Sequence, residues 1–396
     1  MGSTRTRRVL RMIVIGILAT GAVAVLAIAV LLGSMWLEHR RDTTLPAPTG
    51  PLAVGRTSDV WSDPATRREL FAWIWYPAVA RQSPATVEDY LPAPWRTATE
   101  RQRVALINTF LTRDLSRVRA HSIRDASVSP QHDSYPVIVM IGGLNFTTLA
   151  EDLASHGYVV ISVEAPHRSG VVVFPDGRVI ERAPENNPDL VSGAQREELA
   201  ARLVDAGSAD IGWALDQLER LNASDPSGPL FGRLDLQRVG VFGHSLGGAI
   251  ALQWCHDDAR CKAVVDIDGA PHGSVIEEGV TQPLLFLLSD HSGESDPATR
   301  QIQANIRAIL ERLPSDRRVE IAIRGANHYS FSDDGAMLKS QILRGVLRVL
   351  GLVGIDGRRQ VVVTAYCVRS FFDVYLKGAP ASGLRSQPAY PEILIN

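Results

Sequence analysis

Short apolar runs alternate with amphipathic stretches along most of the chain. Each run is continuous in hydrophobic residues, which is typical of strands that are buried on both faces. These runs lie at residues 71–76, 136–141, 158–163, 239–242, 263–267, 284–288 and 319–323. The stretches at 149–155, 195–221 and 359–376 are predicted as helices. The alternation predicts an α/β fold in which helices cover both faces of a mostly parallel central sheet.

The N-terminal region contains the longest apolar segment. Residues 12–37 carry no charge, and at about 1.5 Å per residue a helix of this length spans a hydrocarbon core of about 30 Å. Arginines precede the segment and a mixed set of charges follows it. This asymmetry predicts a single-pass membrane anchor with a cytoplasmic N-terminus and an extracytoplasmic remainder. A cleaved signal peptide is the alternative, but its apolar region is shorter, and residues 34–36 form a poor cleavage site.

The domain organisation follows from this segment. We expect a basic cytoplasmic tail at 1–11, the transmembrane anchor at 12–37, a semi-extended linker at 38–51 and a folded α/β domain at 52–396. Near the end of that domain, the segment 341–350 is amphipathic. It is expected to form a helix packed on the sheet, and a position on a membrane surface is the alternative.

Composition narrows the class of function. The 396 residues include 41 Lys+Arg and 43 Asp+Glu, a balance that argues against a nucleic-acid-binding protein because such a surface needs a basic excess. Three cysteines are too few for a disulfide-built scaffold. Cys255 and Cys261 are close in sequence, and export would allow them to form a disulfide, with two free thiols as the alternative. Cys367 lies in an apolar helical stretch and is predicted to be a core residue.

One motif indicates the chemistry. Gly243-His244-Ser245-Leu246-Gly247 lies directly between a predicted strand and a predicted helix. A serine in this position must occupy a very tight turn to project its hydroxyl, and small residues on both sides relieve the crowding. This is the nucleophile-elbow pattern. The backbone N–H of Leu246 would point at a developing oxyanion, where the helix dipole favours negative charge.

A serine hydroxyl is a weak nucleophile and needs a general base. His328 follows the last predicted strand, where this arrangement requires the base. His272 and His291 follow earlier strands and are predicted to lie at the surface or at the rim of a pocket. His244 neighbours Ser245, but its side chain is expected to point away from the hydroxyl.

The base needs a carboxylate to orient and stabilise it. Asp268 ends the strand directly after the elbow helix, and Asp290 ends the following strand. Asp266 is close to the first of these positions, but it lies within the strand. Spacing alone leaves Asp268 and Asp290 open.

No metal and no cofactor are expected. The polar stretch formed by His256, Asp257 and Asp258 resembles no metal site and is predicted to be a solvated turn.

Several stretches resemble the platelet-activating-factor acetylhydrolase family of α/β-hydrolases, in its bacterial, secreted or membrane-bound branch. The matching stretches are 143–144, 152–164, 238–249, 266–271, 282–286, 324–333 and the tail 371–378. The resemblance implies an α/β-hydrolase fold and assigns Asp268 as the triad acid. It also implies that the backbone N–H of Leu144 is the second oxyanion donor. Asn145 and Phe146 follow Leu144, where animal members carry a glycine.

The predicted function is that of a serine hydrolase that cleaves carboxylic esters through an acyl-enzyme. The resemblance implies short or oxidised acyl groups on phospholipids as substrates. The expected partners are therefore an ester or phospholipid substrate and, through the N-terminal helix, a membrane. A general carboxylesterase or polyester hydrolase that acts on small soluble esters is one alternative. A non-catalytic binding module with the same fold is another, although such modules often lack the serine or the histidine. The sequence makes no prediction of oligomeric state.

Overall fold

The computed structural model describes residues 2–80, 88–102, 113–224, 226, 228–290, 296–337, 341–350, 354–386 and 389–396. The strands are β1 (Thr43–Thr44), β2 (Ala53–Asp63), β3 (Arg68–Ala78), β4 (Val118–Arg119), β5 (Ile123–Arg124), β6 (Tyr135–Ile141), β7 (Val159–Glu164), β8 (Val171–Val173), β9 (Val179–Glu181), β10 (Leu234–His244), β11 (Cys261–Ile267), β12 (Leu284–Leu288), β13 (Arg318–Ile323) and β14 (Ile393–Ile395). The helices are α1 (Gly2–His39), α2 (Ala93–Gln102), α3 (Thr147–Ser155), α4 (Ala194–Ser224), α5 (Leu246–Asp257), α6 (Val275–Glu278), α7 (Pro297–Glu311), α8 (Asp333–Met337), α9 (Gln341–Val349), α10 (Gly357–Lys377) and α11 (Ser382–Arg385).

Ten strands form one sheet in the order β14-β13-β12-β11-β10-β6-β7-β3-β2-β5. The central strands from β13 to β7 are parallel, whereas β14, β3 and β2 run antiparallel to the neighbours that join them to this centre. One face is packed against α3 and α10, and the other against α4, α5 and α7. The predicted mostly parallel sheet with helices on both faces is therefore confirmed.

Some elements carry no continuous apolar run, and the pattern does not predict them. β2 lies near one end of the sheet and mixes buried positions with partly or fully exposed ones. α7 buries a narrow stripe formed by Ile306, Ile309 and Leu310. Both elements include partly or fully exposed positions, so neither shows the continuous apolar run of a core strand.

α1 contains the expected apolar span. Residues 7–39 are long and apolar enough to cross a membrane, and their most apolar window is 0% buried. The C-terminal end of α1 differs from this span, because it is partly buried and paired. Met35 is buried, and Arg113 of the folded domain forms an ion pair with Glu38 at 3.2 Å.

Residues 43–50, which were expected to belong to a linker, lie on the folded domain. β1 pairs with β4, and Leu45 is buried in the core. The backbone N–H and hydroxyl of Thr49 both donate to Asp152 Oδ1, at 2.8 and 2.7 Å. This part of the predicted linker therefore runs along the domain, where an apolar side chain and two polar groups find partners.

Two further expectations are corrected. His256 lies in the last turn of α5, not in a solvated turn, with Nδ1 2.6 Å from the carbonyl oxygen of Gly279. α9 does not bury its apolar face on the sheet. Three of its apolar positions and the adjoining Leu350 are between 42% and 88% exposed; the three are Ile342, Val346 and Val349. Leu343 turns inward, and the helix contacts α1.

The cysteines agree with the expectation from sequence. Cys255 at the end of α5 and Cys261 at the start of β11 form a disulfide. Cys367 is a free, buried thiol in α10, and burial raises the pKa of that thiol to about 12.

Candidate active site

Ser245 occupies a strained turn between β10 and α5. Its φ of 57° lies in a region that residues other than glycine rarely adopt. A Cβ atom on Gly243 would lie 2.1 Å from the carbonyl oxygen of Gly247, and one on Gly247 would lie 2.6 Å from the carbonyl oxygen of Ile141. Only glycine fits at either position. The motif therefore forms the tight turn that its small residues predict.

Ser245, His328 and Asp268 are joined in one hydrogen-bonded line. His328 Nε2 lies 3.1 Å from Ser245 Oγ, and His328 Nδ1 lies 2.8 Å from Asp268 Oδ2. The three residues follow β10, β13 and β11, whose carboxyl ends meet at the same edge of the sheet. Both distances are within the reach that proton transfer requires.

Asp268 is held by more than the histidine. Its side chain is 3% exposed, and its Oδ1 accepts the backbone N–H of Ser289 at 2.7 Å. The Ser289 hydroxyl donates to the same carboxylate at 2.8–2.9 Å. These bonds orient the carboxylate so that Oδ2 faces His328.

Asp290, the alternative acid, contacts the loop that leads to His328 instead of the imidazole. Its Oδ2 accepts the backbone N–H of Gly325 at 2.8 Å, and its own N–H donates to the carbonyl of Ala326 at 3.2 Å. Of the two candidate acids, the structure brings Asp268 to the histidine.

The two expected oxyanion donors begin neighbouring helical turns. Leu246 is the first residue of α5, and Leu144 is the second residue of a short 3-10 helix after β6. N–H groups in a first helical turn have no acceptor within their own helix. Ile141 of β6 pairs with Gly243 of β10, so both turns begin on adjacent strands at the same edge of the sheet.

The loop that carries Leu144 is tightly supported. The backbone N–H of Gly143 donates to Ser162 Oγ at 3.0 Å. A Cβ on Gly143, whose φ is 64°, would lie 2.1 Å from Glu164 Oε1. Burial raises the pKa of Glu164 to about 7. Phe146 completes the wall and packs against the ring of His244 at 5.7 Å.

His244 has a role that the sequence pattern does not reveal. As expected, its side chain does not point at the Ser245 hydroxyl. Its Nε2 lies 2.8 Å from the backbone carbonyl oxygen of His328. The two imidazole rings are 4.5 Å apart. Burial, with His328 as a further cause, lowers the pKa of His244 to about 4. At neutral pH His244 is therefore uncharged, and its Nε2–H donates to the carbonyl of His328.

Among the histidines that the structure describes, no other belongs to this line. His272 is half-buried, and its Nδ1 lies 3.6 Å from Glu197 Oε2. His291 lies outside the described residues. In the part of the chain that the structure describes, no group of three or more His, Cys, Asp or Glu side chains is arranged to hold a metal ion.

The fold and this site define the class of protein. The chain is a serine ester hydrolase with the α/β-hydrolase architecture. It belongs to the family described as platelet-activating factor acetylhydrolase, isoform II, whose sequence model matches residues 37–365.

Individual proteins support this placement. The chain is 24% identical over 332 residues to a platelet-activating factor acetylhydrolase from Cavia porcellus, covering 76% of this chain and 73% of the relative. It is 25% identical over 307 residues to a probable 1-alkyl-2-acetylglycerophosphocholine esterase from Arthroderma benhamiae, covering 70% and 72%. A solved ferulic acid esterase from Streptomyces cinnamoneus superposes with a TM-score of 0.70 at 26% identity, covering 89% of this chain and 99% of that one.

Proposed function

We propose that Ser245 is the nucleophile, His328 the general base and Asp268 the triad acid of a two-step ester hydrolysis. Ser245 Oγ attacks the ester carbonyl while His328 Nε2 accepts its proton. The Asp268 carboxylate stabilises the imidazolium that forms. The backbone N–H groups of Leu144 and Leu246 stabilise the oxyanion, each by about 2–4 kcal/mol of barrier. His328 then protonates the leaving alcohol, and water repeats the sequence on the acyl-enzyme. The observation that carries this proposal is the continuous line of 3.1 and 2.8 Å contacts.

We further propose that the ester belongs to a phospholipid with a short acyl group. Family membership and the names of the relatives from Cavia porcellus and Arthroderma benhamiae support this substrate class. A small soluble ester is the second candidate. The structural likeness to a ferulic acid esterase favours it, because that likeness extends over 89% of this chain.

The substrate proposal is tested with a matched set of esters. The set contains p-nitrophenyl esters from acetate to palmitate, a glycerophosphocholine with one acetyl group, and a feruloyl ester. We expect kcat/KM for acetyl esters to exceed that for palmitate by roughly tenfold or more, since an acyl pocket discriminates by the methylenes that it must accommodate. The acetylated phospholipid should be the best substrate. A feruloyl ester that is cleaved faster than the phospholipid would favour the second candidate.

We propose that α1 stays attached as a single-pass anchor, with its N-terminus in the cytoplasm and the hydrolase domain outside. The arginines before the span support this orientation, and the Cys255–Cys261 disulfide is consistent with an oxidising compartment. Met35 and Glu38 support attachment, because Met35 is buried and Glu38 forms an ion pair with Arg113 of the folded domain. Recovery of a mature chain that begins after Glu38 would contradict the anchor.

The exposed side of α9 supports a membrane-facing orientation of the domain. Ile342, Val346 and Val349 recur at helical spacing on one exposed stripe of a helix that contacts α1. Arg344 lies on the other side, where it pairs with Asp356 at 3.3 Å. A helix with one apolar exposed face next to a membrane span is suited to the boundary between headgroups and acyl chains. We therefore propose that α9 lies in that boundary. This helix belongs to the stretch of chain that follows His328.

Val349→Asp tests this orientation. In the full chain reconstituted in phosphatidylcholine vesicles, we expect hydrolysis of an acetylated phospholipid in the same vesicles to fall severalfold, because a charge at the boundary is costly. Hydrolysis of water-soluble p-nitrophenyl acetate should not change. Leu190→Asp, at an exposed leucine outside α9, is the matched control and should change neither rate. Equal loss on both substrates for Val349→Asp would contradict the placement.

A further inference from the structure

A second carboxyl group lies behind the nucleophile turn. Asp266 is 0% exposed and stands opposite Gly243 in the register of β10 and β11. A Cβ on Gly248, in the first turn of α5, would lie 2.2 Å from Asp266 Oδ1, and one on Gly269 would lie 2.3 Å from the same atom. The carboxyl therefore fills the space that these two glycines leave. One glycine belongs to the helix that follows Ser245, and the other directly follows Asp268.

Asp266 also braces the turn of the proposed triad acid. Its Oδ1 accepts the backbone N–H of Gly269 at 2.7 Å, which closes a turn over the two residues between them. Within that turn Asp268 has a φ of 53°, a conformation that costs free energy in a residue with a side chain. Such a conformation persists only where its surroundings enforce it, and the bond from Gly269 to Asp266 is one such restraint.

We propose that Asp266 is a positioning residue, which fixes the turn of Asp268 against the nucleophile helix and so keeps the carboxylate of Asp268 aligned with His328. This inference rests on the proposed function of the triad. Asp266 does not touch the reacting atoms in this arrangement. It acts through Gly269 and through the space that it fills against Gly248.

The protonation state of Asp266 provides a distinctive signature. Burial raises its pKa to about 8, and the nearby Asp268 carboxylate contributes to the rise. The neighbours from β10, α5 and β12 are Gly243, Gly248 and Phe286, which do not titrate. At pH 7 Asp266 is therefore neutral. Above about pH 8 it ionises, and two like charges then share one turn, which disfavours the aligned position of Asp268.

Two substitutions separate the ionisation of Asp266 from its function as a hydrogen-bond acceptor. Asp266→Asn keeps the acceptor oxygen and the volume, but it cannot ionise. Asp266→Leu keeps the approximate volume and removes the acceptor. Asp205→Asn, at an exposed aspartate of α4, is the matched control. The full chain is assayed on p-nitrophenyl acetate from pH 6 to pH 10, with the rate of the Ser245→Ala chain subtracted as the blank.

We expect wild type and Asp205→Asn to lose activity above about pH 8, and Asp266→Asn to retain it there. At pH 7 Asp266→Asn should keep kcat within about threefold of wild type, whereas Asp266→Leu should lower kcat tenfold or more with little change in KM. Melting temperatures provide an independent measurement. A buried carboxyl with a raised pKa becomes progressively less favourable to the folded state as the pH rises from about 4 to 8. The melting temperature of Asp266→Asn relative to wild type should therefore rise over that range.

The possible failures are distinguishable. A wild-type chain that cleaves no ester at pH 7 would overturn the proposed function itself. An active wild type whose alkaline loss is reproduced by Asp266→Asn would overturn only the role of Asp266. Full kcat in a folded Asp266→Leu chain would do the same.

Discussion

Replacement of Ser245 by alanine is expected to lower kcat for a short-chain ester by about 10⁵–10⁶-fold, the loss typical of a serine nucleophile that acts together with its base. His328 Nε2, now 3.1 Å from the Ser245 hydroxyl, would have no oxygen to deprotonate. Folding should be preserved, because alanine keeps the Cβ atom and therefore adds no new clash to the strained turn. Residual activity would come from oxyanion stabilisation and binding alone.

A fluorophosphonate probe measures the same prediction covalently. The wild-type chain should be labelled at Ser245, and the alanine variant should remain unlabelled while its circular dichroism spectrum is unchanged. Ser192→Ala, at an exposed serine, should be labelled as fully as wild type. An unlabelled wild-type chain would support the alternative of a binding module. Ester turnover in Ser245→Ala near the wild-type rate would remove Ser245 from the mechanism.

Asp268→Asn is expected to lower kcat by about 10⁴-fold at pH 7, and Asp290→Asn by less than about tenfold. The asparagine at 268 loses the negative charge that stabilises the imidazolium and no longer enforces the tautomer with Nδ1 protonated. The asparagine at 290 keeps an oxygen that can accept the N–H of Gly325, which is the contact that Asp290 makes. Both variants replace a carboxylate by a neutral amide, so the pair controls for the substitution itself.

The measurement is kcat and KM for p-nitrophenyl acetate in both variants, with melting temperatures to verify folding. A large loss in kcat at nearly constant KM is expected for Asp268→Asn, because the carboxylate acts mainly as charge develops on His328. The reverse order, with Asp290→Asn the more damaging variant at equal stability, would transfer the acid role to Asp290.

The choice between the two acids illustrates where sequence reasoning stops. Asp268 and Asp290 both end strands, so spacing treats them alike. The structure distinguishes them through Ser289, whose N–H and hydroxyl turn the carboxylate of Asp268 toward the histidine. Asp290 is engaged by Gly325. A resemblance to known proteins implies Asp268 as the acid without this information, but it does not supply the physical reason.

Two contacts that the sequence pattern does not reveal have a common cause. Residues 43–50 were expected to belong to a linker because prolines and small polar residues make the segment locally extended, yet Leu45 and Thr49 find partners that are distant in sequence. Segment 341–350 has the pattern of a packed helix, but its apolar stripe faces outward beside α1. Periodicity shows that a helix has an apolar face, and it does not show what covers that face.

By itself, the sequence determined the order of the buried core strands, the apolar segment long enough to span a membrane and the serine turn, because each depends on residues that are adjacent or regularly spaced along the chain. Only the tertiary structure decided which carboxylate meets His328, that His244 holds the His328 carbonyl, and that Asp266 fills the space behind the nucleophile turn. Those contacts join loops that are far apart in sequence, and they depend on side-chain directions within about 3 Å that only the packed sheet edge imposes.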